Sequence, residues 1–476
     1  MIVYRYLVLG LALAGLAIVA EAQNAPAQTT DNLETNNNRW VPAPALSGLA
    51  GMGGDVAADD IGGDVPQIPA LLGGRGPSLA FQSELARTNY LRGGLSVGAS
   101  YDDNPLLLTT GAESNTGYSV FPNLAMEQSW PRMRWTLAYA GGLTVNQNLT
   151  NQNHGSHDLN FDSQYRLSPH VNLRVAEDFA VTTGFFDGGN GIAVSGTGGP
   201  NASLITPLAT QRTNTTTVET NYHFALNDVM GASGSFYDLH FTNVPANYAL
   251  ANTQTESGSA FWLHRIFRHN WAGASYRFDR LTFDPSAETL VHSFALVDTV
   301  GLSNGFTFSG FVGPQYSDNR GFAPGVGGGD TISQFQQWSM SGGVEAGWQS
   351  ARTSVSTGFS RRITDGGGLL GAVRSQAAHG DLRRELLPGW AVTLGGSYGN
   401  NKALTQAFAG SAGTIDVTSV SASLERNVGK SLGLRLGYAH DFQQRSGFAD
   451  PTQELDAHRN RFFITLSYQW AKPLGM

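Results

Sequence analysis

The stretch that decides the fold is Arg459-Asn460-Arg461-Phe462-Phe463-Ile464-Thr465-Leu466-Ser467-Tyr468-Gln469-Trp470. Phe462, Ile464, Leu466, Tyr468 and Trp470 share one parity. Arg461, Thr465, Ser467 and Gln469 share the other, with Phe463 the exception. Successive side chains of a strand point to opposite faces, so this segment has one greasy and one polar face. At about 3.3 Å per residue it is long enough to cross a bilayer at a tilt. It ends in an aromatic-x-aromatic pair. Such a strand is what the closing strand of a membrane β-barrel requires.

Composition agrees. Only 14% of the 476 residues are charged, against about a quarter in soluble proteins. Strands that alternate apolar and polar residues average their hydropathy towards zero, and the mean hydropathy is −0.18. Low charge with 10% aromatics does not fit disorder. The net charge of −8 argues against nucleic acid as a partner. The absence of cysteine excludes a disulfide-stapled scaffold.

The N-terminus reads as a secretory signal over residues 1–22. Arg5 supplies the positive region, Leu7 to Ala20 the apolar core, and Ala20-Glu21-Ala22 a small-x-small cleavage site, so the cut is expected after Ala22. A membrane anchor is the alternative, but the apolar run is short for a span. Later in the chain no run approaches the length of a transmembrane helix. A membrane-spanning mature chain must then be a closed barrel, which alone besides helices satisfies every backbone group in lipid.

Residues 23–92 are rich in Gly, Pro and Asn and read as a flexible periplasmic leader, with a lumenal plug as the alternative. From Gly93 to Trp470 strand-like segments follow one another. Leu159, Phe161, Tyr165 and Leu167 oppose Asp158, Asp162, Gln164 and Arg166; Leu432, Leu434, Leu436 and Tyr438 oppose Arg435 and Asp441. Val229 to Phe241 and Leu290 to Gly301 do not resolve into two faces, and a parity slip near Ser419 suggests a bulge. Short connections such as Ser168-Pro169-His170 and Leu387-Pro388-Gly389 alternate with long ones along the whole chain. That alternation is the pattern of tight periplasmic turns and longer external loops. The expected fold is an all-β, antiparallel up-and-down transmembrane barrel of bacterial outer-membrane type, with about 18 strands. Merging or splitting one hairpin would give 16 or 20. A soluble solenoid or sandwich does not explain the alternation. Residues 471–476 are left as a short tail.

Leu95 to Leu108 reads L-S-V-G-A-S-Y-D-D-N-P-L-L-L. A first strand ending in Tyr101-Asp102-Asp103-Asn104, followed by paired strands, resembles the β-barrel porin type 2 family of outer-membrane proteins. The likeness covers the barrel, and only those four residues are motif-like. It implies an outer-membrane barrel; some members of the family are linked to exopolysaccharide production and export.

Of 29 cationic side chains only Lys402, Lys430 and Lys472 are lysines; the rest are arginine. A charge facing lipid at mid-depth costs roughly 2–4 kcal/mol. Asp158, Asp162, Arg166, Arg277, Asp279, Arg352, Arg435 and Asp441 are therefore candidate lumen-lining residues. They read either as a path for a polar or acidic solute, gripped by guanidinium forks, or as a mixed-charge wall whose neighbours pair across strands. His154 with His157-Asp158, His292-Ser293 and His440-Asp441 are the candidate pairs for hydrolysis, but no motif joins them to a nucleophile. No metal spacing and no cofactor motif is present. Gly327-Gly328-Gly329 and Gly366-Gly367-Gly368 read as flexible external loops.

The functional expectation is a conduit, passive or for export, for polar solutes or polysaccharide. A non-conducting structural or adhesive barrel is the alternative, and an outer-membrane hydrolase stands behind both. Expected partners are outer-membrane lipid and lipopolysaccharide, the barrel-assembly machinery and polysaccharide-export components.

Overall fold

The computed structural model describes residues 89–474 except 110, 151–152, 184–208, 243–249, 268, 285–286, 303–304, 325–329, 369, 405–412, 430 and 448–454. The signal, nearly all of the leader and the Gly327–Gly329 loop lie outside the described residues.

Eighteen strands form one antiparallel sheet. They are β1 (Tyr90–Asp102), β2 (Asn115–Ser129), β3 (Met133–Asn146), β4 (His154–Arg166), β5 (Val171–Thr183), β6 (Thr210–Ala225), β7 (Asp228–Thr242), β8 (Thr253–Phe267) and β9 (Asn270–Phe283). The second half is β10 (Ala287–Leu302), β11 (Phe306–Pro324), β12 (Asp330–Gln349), β13 (Thr353–Gly366), β14 (Leu370–Leu387), β15 (Trp390–Ala403), β16 (Thr414–Val428), β17 (Leu432–Ser446) and β18 (Leu455–Pro473). Each strand pairs with its neighbours in sequence, and β1 pairs with both β2 and β18. The sheet is thus closed and has no edge, as expected.

The register assigns every side chain to a face. On β18, Phe462, Ile464, Leu466, Tyr468 and Trp470 stand opposite Tyr101, Ala99, Val97, Leu95 and Gly93 of β1. All five are 40–54% exposed. The same parity carries Tyr118, Val120 and Leu124 on β2 and Leu432 and Leu436 on β17, all exposed. From Phe462 to Trp470 this apolar belt runs about 26 Å along the strand, on the order of the apolar band of an outer-membrane barrel. Phe463 faces inward and is not a misfit. It lies opposite Gly437 of β17, where a Cβ would strike its ring. The glycine leaves room for the aromatic side chain. Glu177 is a charge on the outward face. It sits mid-strand on β5, opposite Phe161, and accepts a 2.5 Å hydrogen bond from the Thr216 hydroxyl of β6.

Four expectations are corrected. First, β1 begins at Tyr90 rather than Gly93, and β18 runs on to Pro473. Ala471, Lys472 and Pro473 pair with Arg92, Leu91 and Tyr90, and Leu474 N donates to Asn89 O at 2.9 Å. The segment after Trp470 therefore begins as strand, because β1 offers it partners. Second, the ladder runs through Ser419 without a register shift on either side. The apparent slip arises because Ile415 and Val417 are buried, apolar and inward. Third, the long connection that the short–long alternation places near residues 319–333 is mostly strand: β11 reaches Pro324 and β12 starts at Asp330. Fourth, the Gly366–Gly368 loop is not external, for reasons given below.

Candidate functional site: the lumen and its inward hairpin

The barrel closes between β18 and β1, and the tetrad at Tyr101–Asn104 explains how. Tyr101 faces outward in the belt. Asp102 faces inward and accepts from Arg459 Nε at 2.7 Å and Nη2 at 2.5 Å. Asp103 N donates to Asn460 O at 3.1 Å, while its carboxylate accepts from Asn460 N and Nδ2, both at 2.6 Å. Asn104 Nδ2 donates to His458 O at 2.9 Å and to Leu108 O at 2.8 Å. Three consecutive residues thus tie the first strand to the last at the long-loop end. Next to this tie, Arg461 donates to Asp441, and Ser419 Oγ donates to the same carboxylate at 2.7 Å. Arg459, Arg461 and Asp441 are each 1–4% exposed.

The rest of the inner wall repeats this pairing. Arg174 bridges Asp162 (2.6 Å) and Glu219 (3.4 Å) across β4, β5 and β6. Arg134 holds Glu127 at 2.5 Å, and Arg383 holds Glu425 at 3.1 Å. Arg277 donates through Nε to both oxygens of Asp279 at 2.8 Å. Of the residues singled out in the sequence, Asp158, Asp162, Arg166, Arg277, Asp279, Arg435 and Asp441 carry the inward parity. Arg352 does not line the lumen. It ends the short Ser350–Arg352 turn and is exposed there. Pairing across strands holds the wall rigid and leaves little net charge at each site.

One feature was not legible in the sequence. The ladder between β12 and β13 stops at Gly342↔Arg361. Beyond Arg361 β13 parts from β12 while β14 stays paired with β15 as far as Val373↔Ala403, and the tip of the hairpin crosses the inner face of β12 to β8. Ile363 N donates to Gln315 Oε1 of β11 at 3.3 Å. Thr253 Oγ1 of β8 donates to Asp365 Oδ2 at 3.2 Å, and Ala251 N donates to Gly368 O at 2.8 Å. Ile363 and Ala372 pack with Leu281, Phe283, Ala287 and Val291 of β9 and β10. Gly367 and Gly368 have φ of 56° and 82°. A side chain at Gly368 would meet the Phe241 ring and, at 3.1 Å, the Ala251 carbonyl. These contacts fold the tip into the barrel at its long-loop end. The apolar inner faces of β7 and β10, which blurred the alternation at Val229–Phe241 and Leu290–Gly301, follow partly from it. Val291 packs on the tip; Val229 and Val297 fill a second cluster with Leu263, Trp271 and Phe311.

Behind the tip lies a small recess of mixed character, lined by the polar groups of Arg277, Asp279, Gln315 and Arg362 and by apolar Ala295, Phe311 and Ile363. Asp279 also accepts from Ser257 Oγ at 2.5 Å. The recess offers donors and acceptors on a fixed wall.

The histidine pairs do not converge. His154 faces inward and His157 outward, where Tyr139 Oη meets its Nδ1 at 2.9 Å. His292 and His440 also face outward, against Tyr276 Oη (2.8 Å) and Asn460 Oδ1 (2.8 Å), away from Ser293 and Asp441. Adjacent strand residues point to opposite faces, so the sequence pairs could not act together.

No family model matches the sequence, and no curated protein matches it. The resemblance drawn from Tyr101–Asn104 thus has no family match beside it. Solved structures similar in chain trace include the unliganded ferric citrate transporter FecA (TM-score 0.41, 9% identity, covering 79% of this chain and 78% of that one). Pseudomonas aeruginosa OccK2 (OpdF) has a TM-score of 0.41 and 8% identity, covering 81% and 98%. Acinetobacter baumannii OccAB2 has 0.41 and 10% identity, covering 80% and 98%. At this distance they do not bear on what the chain does; its own geometry does.

Proposed function

We propose that the chain is an outer-membrane, porin-like channel for polar solutes, narrowed at its outer mouth by the β13–β14 tip. The observation that carries this reading is one closed wall with two opposite faces. The outer face is an apolar belt that water would not tolerate. The inner face is lined with paired charges and amides. A barrel of this strand number leaves room for an aqueous path. The short-turn end, with both chain ends of the barrel, is the periplasmic side; the long loops face outward. Export with a cut after Ala22, a leader before β1, insertion by the barrel-assembly machinery and contact with lipopolysaccharide belong to the same reading. Passage of polysaccharide is its narrower form, in which an extended chain threads past the tip.

The test is single-channel conductance in planar bilayers. The purified full chain is compared with a variant in which residues 363–371 are replaced by a short turn. We expect small, resolved steps from the full chain and larger ones from the variant. If neither conducts, the channel reading fails, and the barrel is a structural or adhesive one acting through its loops.

A further inference from the structure

The point where the hairpin leaves the wall carries a second feature. Arg361 and Arg374 lie on the same face of the β13–β14 ladder, in diagonal positions: Arg361 pairs with Gln376, and Ile363 pairs with Arg374. Diagonal neighbours on one face are within reach of the same small group. Further down the barrel this face looks outward, through Val355 and Phe359. Past Arg361 the hairpin bends inward, so the face turns towards the inner side of β12. Gln337 and Ser339 occupy that side, with inward parity. Arg374 Nη2 donates to Gln337 Oε1 at 3.3 Å, which fixes the two elements together.

The charge balance here differs from that around five other inner-wall arginines. Arg174, Arg277, Arg383, Arg459 and Arg461 each hold a carboxylate. Among the described residues neither Arg361 nor Arg374 forms an ion pair. Nε of Arg361, Nε of Arg374, Nε2 of Gln337 and Oγ of Ser339 are all shut from solvent without a hydrogen-bond partner. All four can donate. A buried donor without an acceptor is destabilising, more so when charged. Two guanidinium forks with an amide and a hydroxyl make a donor set suited to a planar carboxylate or a phosphate.

We propose that the wedge between β12 and the β13–β14 hairpin binds an oxyanion group, held by Arg361, Arg374, Gln337 and Ser339. The group is a carboxylate or phosphate, brought either by a solute or by a lipid headgroup at the long-loop end of the apolar belt. The site does not depend on conduction, and its failure would leave the channel reading intact.

Equilibrium titration of the purified full chain in neutral detergent tests it, with inorganic phosphate and trigalacturonate as free probes. A second arm measures lipopolysaccharide retained after insertion into defined vesicles. We expect saturable binding that falls at least tenfold in Arg361→Gln and Arg374→Gln and is unchanged in Arg383→Gln. A loss in the free-probe arm marks a solute site, and a loss confined to the retention arm marks a lipid phosphate. If a glutamine variant does not fold, Gln337→Leu and Ser339→Ala keep both guanidiniums and should weaken binding severalfold. Wild type and all variants binding alike in both arms, or no binding by wild type in either, overturns the proposal.

Discussion

The seam wall, β17–β18–β1–β2, and the hairpin wall, β7–β11, are built from the same kind of strand and solve opposite problems. At the seam the outer face meets the belt and the inner face holds Asp102–Arg459 and Asp441–Arg461. Along most of the seam the two faces differ in polarity, with Phe463 an apolar exception on the inner face. At the hairpin wall part of the inner face is itself apolar, because Val291, Leu281 and Phe283 bury against the tip. The seam is fixed by charge within the wall. The hairpin wall is fixed by an object packed onto it. Ion pairs lock register, whereas an apolar contact surface lets a segment dock and leave as a unit.

The largest expected effect lies at the seam. Asp441→Ala leaves the Arg461 guanidinium buried without its carboxylate. Breaking a buried pair from one side costs about 3–5 kcal/mol. Urea unfolding of the barrel, followed by its gel mobility, should show a loss of this size. The double change Asp441→Leu with Arg461→Met should recover most of it, since a well-packed apolar replacement removes the stranded charge. If the double variant is as unstable as the single one, the pair is not what holds the seam.

At the hairpin wall a core truncation should act differently. Ile363 is 4% exposed within its apolar cluster. Ile363→Ala should cost about 2–5 kcal/mol by the usual large-to-small cost, but from docking of the tip, not from closure of the barrel. Local elements open without global unfolding when few contacts hold them. We expect an unchanged unfolding midpoint, faster proteolysis within the tip and larger conductance steps. A fall in the midpoint equal to that of Asp441→Ala would show that the tip is part of the barrel's own fold.

The same contrast explains what the sequence revealed. Eighteen strands, their closure and the short–long alternation were readable because lipid and water impose a period of two on most of the wall. Seven of the eight candidate lumen residues carried the inward parity for that reason. Arg352 failed because a short turn has no parity. The tip was unreadable because its partners, Gln315, Thr253 and Phe241, are distant in sequence and leave no local period. A hint was present. Leu369, Leu370, Ala372 and Val373 follow Gly366–Gly368, an apolar run out of place in a loop exposed to water. The tetrad at Tyr101–Asn104 was visible as a motif, but its three ties to β18 needed the register of the first strand against the last.

The smallest effect separates burial from charge on the inner wall itself. Arg383 and Glu425 form a lumenal pair of the same chemistry as Arg461 and Asp441, yet the Arg383 side chain is 45% exposed against 4% for Arg461. Water already solvates Arg383, so losing its partner strands no buried charge. Arg383→Ala should cost about 0.2–1 kcal/mol, as exposed pairs do. Salt near 1 M, where the screening length is about 3 Å, should erase that small difference while leaving the Asp441→Ala loss almost whole. If Arg383→Ala matches Asp441→Ala and both persist in salt, charge itself stabilises the wall at either depth. If only the buried pair persists, exclusion of water at the seam is the physical distinction between two otherwise similar ion pairs.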